Sequence, residues 1–202
     1  MRLPVTVSNE PPASSMPAPT AGVMPLVGAF ALLLFSIRLF AMMVQGWRAA
    51  SSTCSDPRVA GGAVFSHSFA VARPSQPNYL ALFSGSTHGI KDDNCPYNFT
   101  KVPNLGAELI GASFSFAGYS ESMRSDGYKG CGSYLSLGYI RAHNPWVDFG
   151  NVRAASNLAF ARFPADFSRL PTVSFVIPNL RHDMHTCSRD TGDTWVQHHL
   201  GL

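Results

Sequence analysis

An α/β fold is predicted by two observations: a pure strand signal late in the chain, and strand-like segments alternating with helix-like ones ahead of it. Thr172 to Ile177 (TVSFVI) is a β-branched and aromatic run closed by Pro178, the pattern of a strand buried on both faces. Ahead of it, Asn104 to Ile110 (NLGAELI) offers a capping residue and apolar spacing suited to a short helix. Ser113 to Tyr119 then alternates as a strand and leads to Glu121. Such alternation favours a sheet with site residues on the loops at strand ends.

In chain order, residues 1–20 are rich in Pro, Ser, Ala and Thr and are expected to form a disordered leader. Residues 21–48 turn apolar, and Leu26 to Val44 carries only Arg38 as a charge, long enough for a bilayer core of ~30 Å. Trp47 and Arg48 follow as interfacial residues would, so the stretch is expected to be a membrane anchor or an uncleaved signal helix. Residues 49–58 read as a linker, and residues 59–202 as the globular domain. Within the domain, Ser122 to Tyr139 is rich in Gly, Ser and Tyr and is expected to be a long irregular excursion. Asp193 reads as the cap of a last helix, Asp193 to Leu200. A formal charge of +3, without any basic run, excludes a nucleic-acid interface as the organising function. Four cysteines beside an export-like segment suit an oxidising compartment. Cys95 and Cys131 bracket the irregular loops and are the favoured disulfide, with Cys54 and Cys187 left as a further pair. The cysteines show no CxxC spacing, which argues against a zinc–thiolate site.

The chemistry concentrates in Arg73 to Ile90 (RPSQPNYLALFSGSTHGI). Pro74 and Pro77 stiffen the backbone around Ser75 and bias Arg73 and Gln76 away from helix. Asn78 to Phe83 is a short apolar run that fits a buried strand and a buried helix equally. Ser84 to Gly89 then breaks the run as a turn. A small nucleophile on a rigid turn against a buried element is one way to present a hydroxyl to substrate; a solvated Pro-rich loop is the other reading of the same residues.

Ser75-Gln76-Pro77-Asn78-Tyr79-Leu80, with Phe83 to Ile90 after it, resembles the nucleophile segment of the phosphoesterase family of bacterial and fungal acid phosphatases and phospholipases C, in the alkaline phosphatase superfamily. Gly118 to Glu121, Arg141 to Trp146, and Phe175 to Leu180 running on to Asp183-Met184-His185 and Gly192 to Trp195 are similar to further family blocks in the same order. The resemblance covers about Pro57 to Leu202. It implies a partial alkaline-phosphatase-like three-layer sandwich with a mostly parallel sheet, preceded here by the apolar N-terminal helix. It implies a phosphate ester as substrate, a phosphoserine on Ser75, and a divalent metal beside that serine. Asn78 would direct its amide to a phosphoryl oxygen, or else cap the helix that follows. His143 would bind phosphate or protonate the leaving group. Asp183 and His185, two residues apart on an extended segment, would reach one centre, with Asp183 serving phosphate or metal and His185 catalysis. The family also carries a Glu-Asn pair on its first strand and paired aspartates on a later one. Neither is found, so impaired activity, a membrane-tethered binding module without turnover, and a phospholipase C-type phosphodiesterase all remain open at this level.

Overall fold

The computed structural model describes residues 39–42 and 69–200. Four parallel strands form one sheet in the order β1-β4-β2-β3, with β1 at Leu39–Met42, β2 at Phe116–Ser120, β3 at Asn157–Ala159 and β4 at Val173–Ile177. The central strands β2 and β4 are buried along their whole length, as the β4 sequence predicts; the alternation read over Ser113 to Tyr119 marks a strand but not one covered on both faces.

Their side chains alternate between two cores. Phe116, Val173, Phe175 and Ile177 face one side, with Leu80, Phe83, Trp146 and Phe149. Ala117, Tyr119 and Val176 face the other, with Trp195, Val196 and Leu200. Helix α1 (Gln76–Ser84) brings Leu80 and Phe83 to the first core, and helix α2 (Leu105–Gly111) rests Leu105 and Leu109 on the same side. Helix α3 (Arg189–Leu200) supplies the second. Period-two strands between helices of opposite faces are what the α/β expectation demands.

The ambiguous run Asn78 to Phe83 is therefore helix, because its apolar residues at 79, 80 and 83 share one face. Asn104 caps α2 as expected, accepting a hydrogen bond from the Ala107 amide at 2.9 Å. Asp193 is not a cap. Helix α3 begins four residues earlier, where the Ser188 hydroxyl accepts from the Thr191 amide at 3.2 Å, and Asp193 lies inside the helix. The excursion at 122–139 is irregular apart from a single 3-10 turn at Tyr134–Ser136, and the Cys95–Cys131 disulfide forms across it. Cys187 is free, and Cys54, its suggested partner, lies outside the described residues.

The apolar helix expected at 21–48 lies outside the described residues except for Leu39–Met42, and those four form a strand paired in parallel with β4. The expected leader and linker lie outside the described residues as well. Among the described residues no helix is long and apolar enough to cross a membrane.

Candidate active site

Ser75 sits at the N-terminal end of α1, half-buried, and its hydroxyl makes no capping hydrogen bond. The turn that carries it is held from three directions. Asn78 donates from its amide nitrogen to the Ala72 carbonyl at 2.9 Å and the Pro74 carbonyl at 2.8 Å, and its amide oxygen accepts from the Ala72 backbone at 3.1 Å. Its side chain is thus committed to the backbone on both sides of Arg73. In this arrangement it steadies the turn instead of pointing at a phosphoryl oxygen, and it does not cap the helix. The Gln76 amide donates to Asp93 Oδ1 at 2.7 Å. The buried Gln76 side chain donates to Asp148 Oδ2 at 3.2 Å.

Asp148 links the serine turn to the histidine turn. Its Oδ1 receives the Arg141 guanidinium at 2.8 Å and 2.9 Å, and both groups are buried. Arg141 also donates to the carbonyls of Lys129 and Tyr97, which satisfies a charge that burial would otherwise penalise heavily. Burial pushes the Asp148 carboxyl up to about 6, against the pull of Arg141. Arg141 opens a family-like block, but Asp148 does not stand out in the sequence. Only the pairing of Arg141 with a carboxylate seven residues on, inside a Pro-Trp turn, hints at it.

His143 stands two residues beyond Arg141, in the 3-10 turn Arg141–His143. It is 5% exposed, and its ring meets the ring of Tyr79 edge-on at 5.3 Å. Since Tyr79 lies one helical turn from Ser75, this contact places His143 over the first turn of α1. Burial, reinforced by the nearby His185, drives the His143 pKa down to about 4, so the imidazole is neutral at pH 7. A neutral His143 suits hydrogen bonding to phosphate better than protonation of a leaving group.

Asp183 and His185 do come together, by a different route from the extended segment expected of them. Met184 adopts a left-handed backbone, and Asp183 Oδ1 accepts from the His185 amide at 2.9 Å and the Thr186 amide at 3.4 Å, closing a tight turn. Asp183 points inward and is 2% exposed, while His185 is exposed. Asp183 Oδ2 is buried without a partner, and desolvation raises its pKa. His185 lies close enough to influence both His143 and Asp183. Ser75, Tyr79, His143, His185 and Asp183 therefore form a chain of neighbours at the carboxyl ends of the strands.

The metal implied by resemblance meets a poor donor set. Asp183 Oδ2 is one orphaned oxygen, but among the described residues no group of three His, Cys, Asp or Glu side chains is placed to hold an ion. Those residues do not fit a complete metal site, and no step below runs through one.

A second cluster escaped the sequence reading. Glu121, just past β2, accepts from the Asn179 amide at 2.9 Å, from Trp195 Nε1 at 3.0 Å and from His182 Nδ1 at 2.9 Å. It opens on a groove of about 560 Å³ along α3. Glu121 closes one family-like block and Trp195 another, but nothing in the spacing of 121, 182 and 195 marks them as partners.

A serine turn at the head of a helix thus stands with histidines from two loops beside a parallel sheet. The chain belongs to the phosphoesterase family, whose sequence profile matches residues 36–202. The match begins before β1, so it reaches further toward the N-terminus than Pro57, and a strand exists in the region where none was expected. Among its relatives is the phosphatidylinositol-3-phosphatase of Mycobacterium tuberculosis, 38% identical over 93% of this chain and 65% of that protein. The phosphate-repressible acid phosphatase of Penicillium chrysogenum is 32% identical over 69% of this chain and 36% of its own length. An acid phosphatase of Aspergillus fumigatus is 30% identical over 66% of this chain and 32% of its own. The chain thus spans under two thirds of the first relative and about a third of the fungal ones. No solved structure gives a significant match.

Proposed function

We propose that this chain is a phosphomonoesterase of acid-phosphatase type, built on an alkaline-phosphatase-like scaffold and working through a phosphoserine on Ser75. The observation that carries the reading is the Ser75 hydroxyl, unengaged at the head of α1, with His143 packed on the next turn of the same helix. The names of the relatives, acid phosphatases and a phosphoinositide phosphatase, support the same chemistry.

In this mechanism Ser75 Oγ attacks phosphorus and gives up its proton to solvent as the bond from phosphorus to the ester oxygen breaks, and water then cleaves the phosphoserine to release phosphate. His143, neutral and fixed by burial, donates a hydrogen bond to a phosphoryl oxygen. His185, exposed beside it, supplies a proton to the leaving oxygen. Asp183 holds the loop turn on which His185 rides, and its free oxygen is available as one donor to a cation. Asn78 keeps the serine turn in register and serves the site by positioning.

Turnover of p-nitrophenyl phosphate, measured with and without added divalent metal, tests the reading. Wild type should release nitrophenol and Ser75→Ala should lose at least ~10²-fold of that rate, the scale expected when a nucleophile is removed. Equal rates in the two proteins would take Ser75 out of the reaction. Phosphate binding without turnover would point instead to a binding module.

A further inference from the structure

The Ser75 hydroxyl makes no capping bond, so it is aimed by the backbone that carries it. That backbone is pinned twice at the next residue. The Gln76 amide donates to Asp93 Oδ1 at 2.7 Å, and the Gln76 side chain, 1% exposed, donates to Asp148 Oδ2 at 3.2 Å. Asp148 stands on the same braced segment as His143. Arg141 donates to Asp148 Oδ1 from Nε at 2.9 Å and from Nη2 at 2.8 Å, and to the Val147 carbonyl at 3.3 Å, which closes residues 141–148 on themselves. Inside that span the buried Asn144 donates to the Ile140 carbonyl at 2.7 Å and accepts from Ser120 at the end of β2. The segment that presents His143 is thus held firmly, and through Asp148 it grips the residue next to Ser75.

We propose that Gln76 and Asp148 are positioning residues that hold Ser75 at reacting distance from a phosphoryl group bound at His143. The assignment rests on the phosphomonoesterase reading and adds the pair that sets its geometry. The bonds of the carboxylate carry it. Arginine and a carboxylate frequently pair through both oxygens, in two parallel charge-assisted bonds. Here both guanidinium donors converge on Oδ1, and Oδ2 is left to the neutral Gln76 amide. Stability alone gives little reason for this, since a buried ion pair is often no more stabilising than apolar side chains of the same volume. What it provides is a directional link between the neighbour of the nucleophile and the segment of the histidine. A displacement of about 1 Å at the reacting atoms costs on the order of 10²-fold in rate.

The test uses the full chain and p-nitrophenyl phosphate. Gln76→Met keeps the length of the side chain and removes its donor. Its kcat should fall on the order of tenfold with KM within about twofold of wild type, as when geometry is lost and binding kept. An unchanged kcat, or a loss carried by KM alone, would overturn the assignment. Exchanging the partners, Gln76→Glu with Asp148→Asn, restores donor and acceptor in reverse order and keeps one negative charge beside Arg141. The exchanged pair should turn over at least about threefold faster than Gln76→Glu alone, and no recovery would overturn the assignment. It also decides the case if Gln76→Met does not fold. Amide hydrogen exchange read by mass spectrometry is independent of turnover. In Gln76→Met, exchange in the peptide from Ser75 to Phe83 should speed up about tenfold, while that in β4 stays as in wild type. Equal acceleration in both would make Gln76 a residue of the general fold and overturn its positioning role. Wild type without turnover, but with that contrast in exchange, would place the failure in the phosphomonoesterase reading.

Discussion

Asn78 makes three backbone hydrogen bonds to Ala72 and Pro74, and none of them is to anything a substrate could replace. Its replacement by Ala should release the serine turn, lowering kcat for p-nitrophenyl phosphate on the order of tenfold and stability by about 1–3 kcal/mol, with KM little changed. A loss confined to KM would show that the amide meets substrate after all. His143 carries the pH dependence at this scale. Folded, it titrates near 4 against an ordinary 6.5, so between those values the unfolded chain binds the proton that the native site refuses. Stability should therefore fall as pH drops from 6.5 toward 4, by up to about 3 kcal/mol from this residue. Asp148 opposes it, since a carboxyl raised from 3.8 to about 6 takes up its proton first in the native state and relieves its burial as pH falls through 6. His143→Gln removes the first slope and keeps the second. Urea midpoints should then favour the variant over wild type progressively as pH falls from 6.5 to 4, and parallel profiles would contradict the assignment.

At the scale of elements, two glycines decide how closely parts approach. A Cβ on Gly118 would lie 2.1 Å from the Trp146 ring, so β2 packs on that indole only because the position is bare. Gly118→Ala should cost about 1–3 kcal/mol by overpacking, read as a lower denaturation midpoint. A Cβ on Gly192 would meet Met184 Cγ at 2.4 Å and the His182 carbonyl at 2.8 Å. Gly192→Ala should push α3 off the loop that bears Asp183 and His185, and activity should drop on the order of ten- to hundredfold while the far core around Leu80 and Phe83 keeps its near-UV signal. The strands β2 and β4 and helix α2 were legible because burial and capping are written locally, in β-branched runs and in Asn104. The start of α3 was not. Gly192 resembles a breaker, yet it is there for a tertiary contact, and Ser188 does the capping from five residues upstream of the expected start. The Asp183–His185 segment misled in the same way, since the left-handed Met184 is set by the turn and not by any residue preference.

For the whole molecule, two cores lie on opposite faces of a parallel sheet, with Ser75 and Asn78 at the head of α1 and His143, Asp183 and His185 on turns that follow β2 and β4 in the chain. Family-like blocks in the sequence single out Ser75, His143 and the Asp183–His185 pair as candidates, and the fold brings His143 against Tyr79 of the serine helix. The Arg141–Asp148–Gln76 bridge and the Glu121–His182 pair were not visible, because each joins residues far apart in the chain through side chains that look like ordinary surface polar groups. Leu39–Met42 was hidden for the opposite reason, since four residues inside an apolar stretch carry no period to separate strand from helix. The proposed reaction requires covalent chemistry at one hydroxyl. Acid quenching of the full chain during turnover of p-nitrophenyl phosphate, followed by peptide mass spectrometry, should find a phosphoryl group on Ser75 and none in Ser75→Ala. Steady turnover with phosphate trapped on another residue, or with no trapped phosphoprotein and full activity in Ser75→Ala, would contradict it.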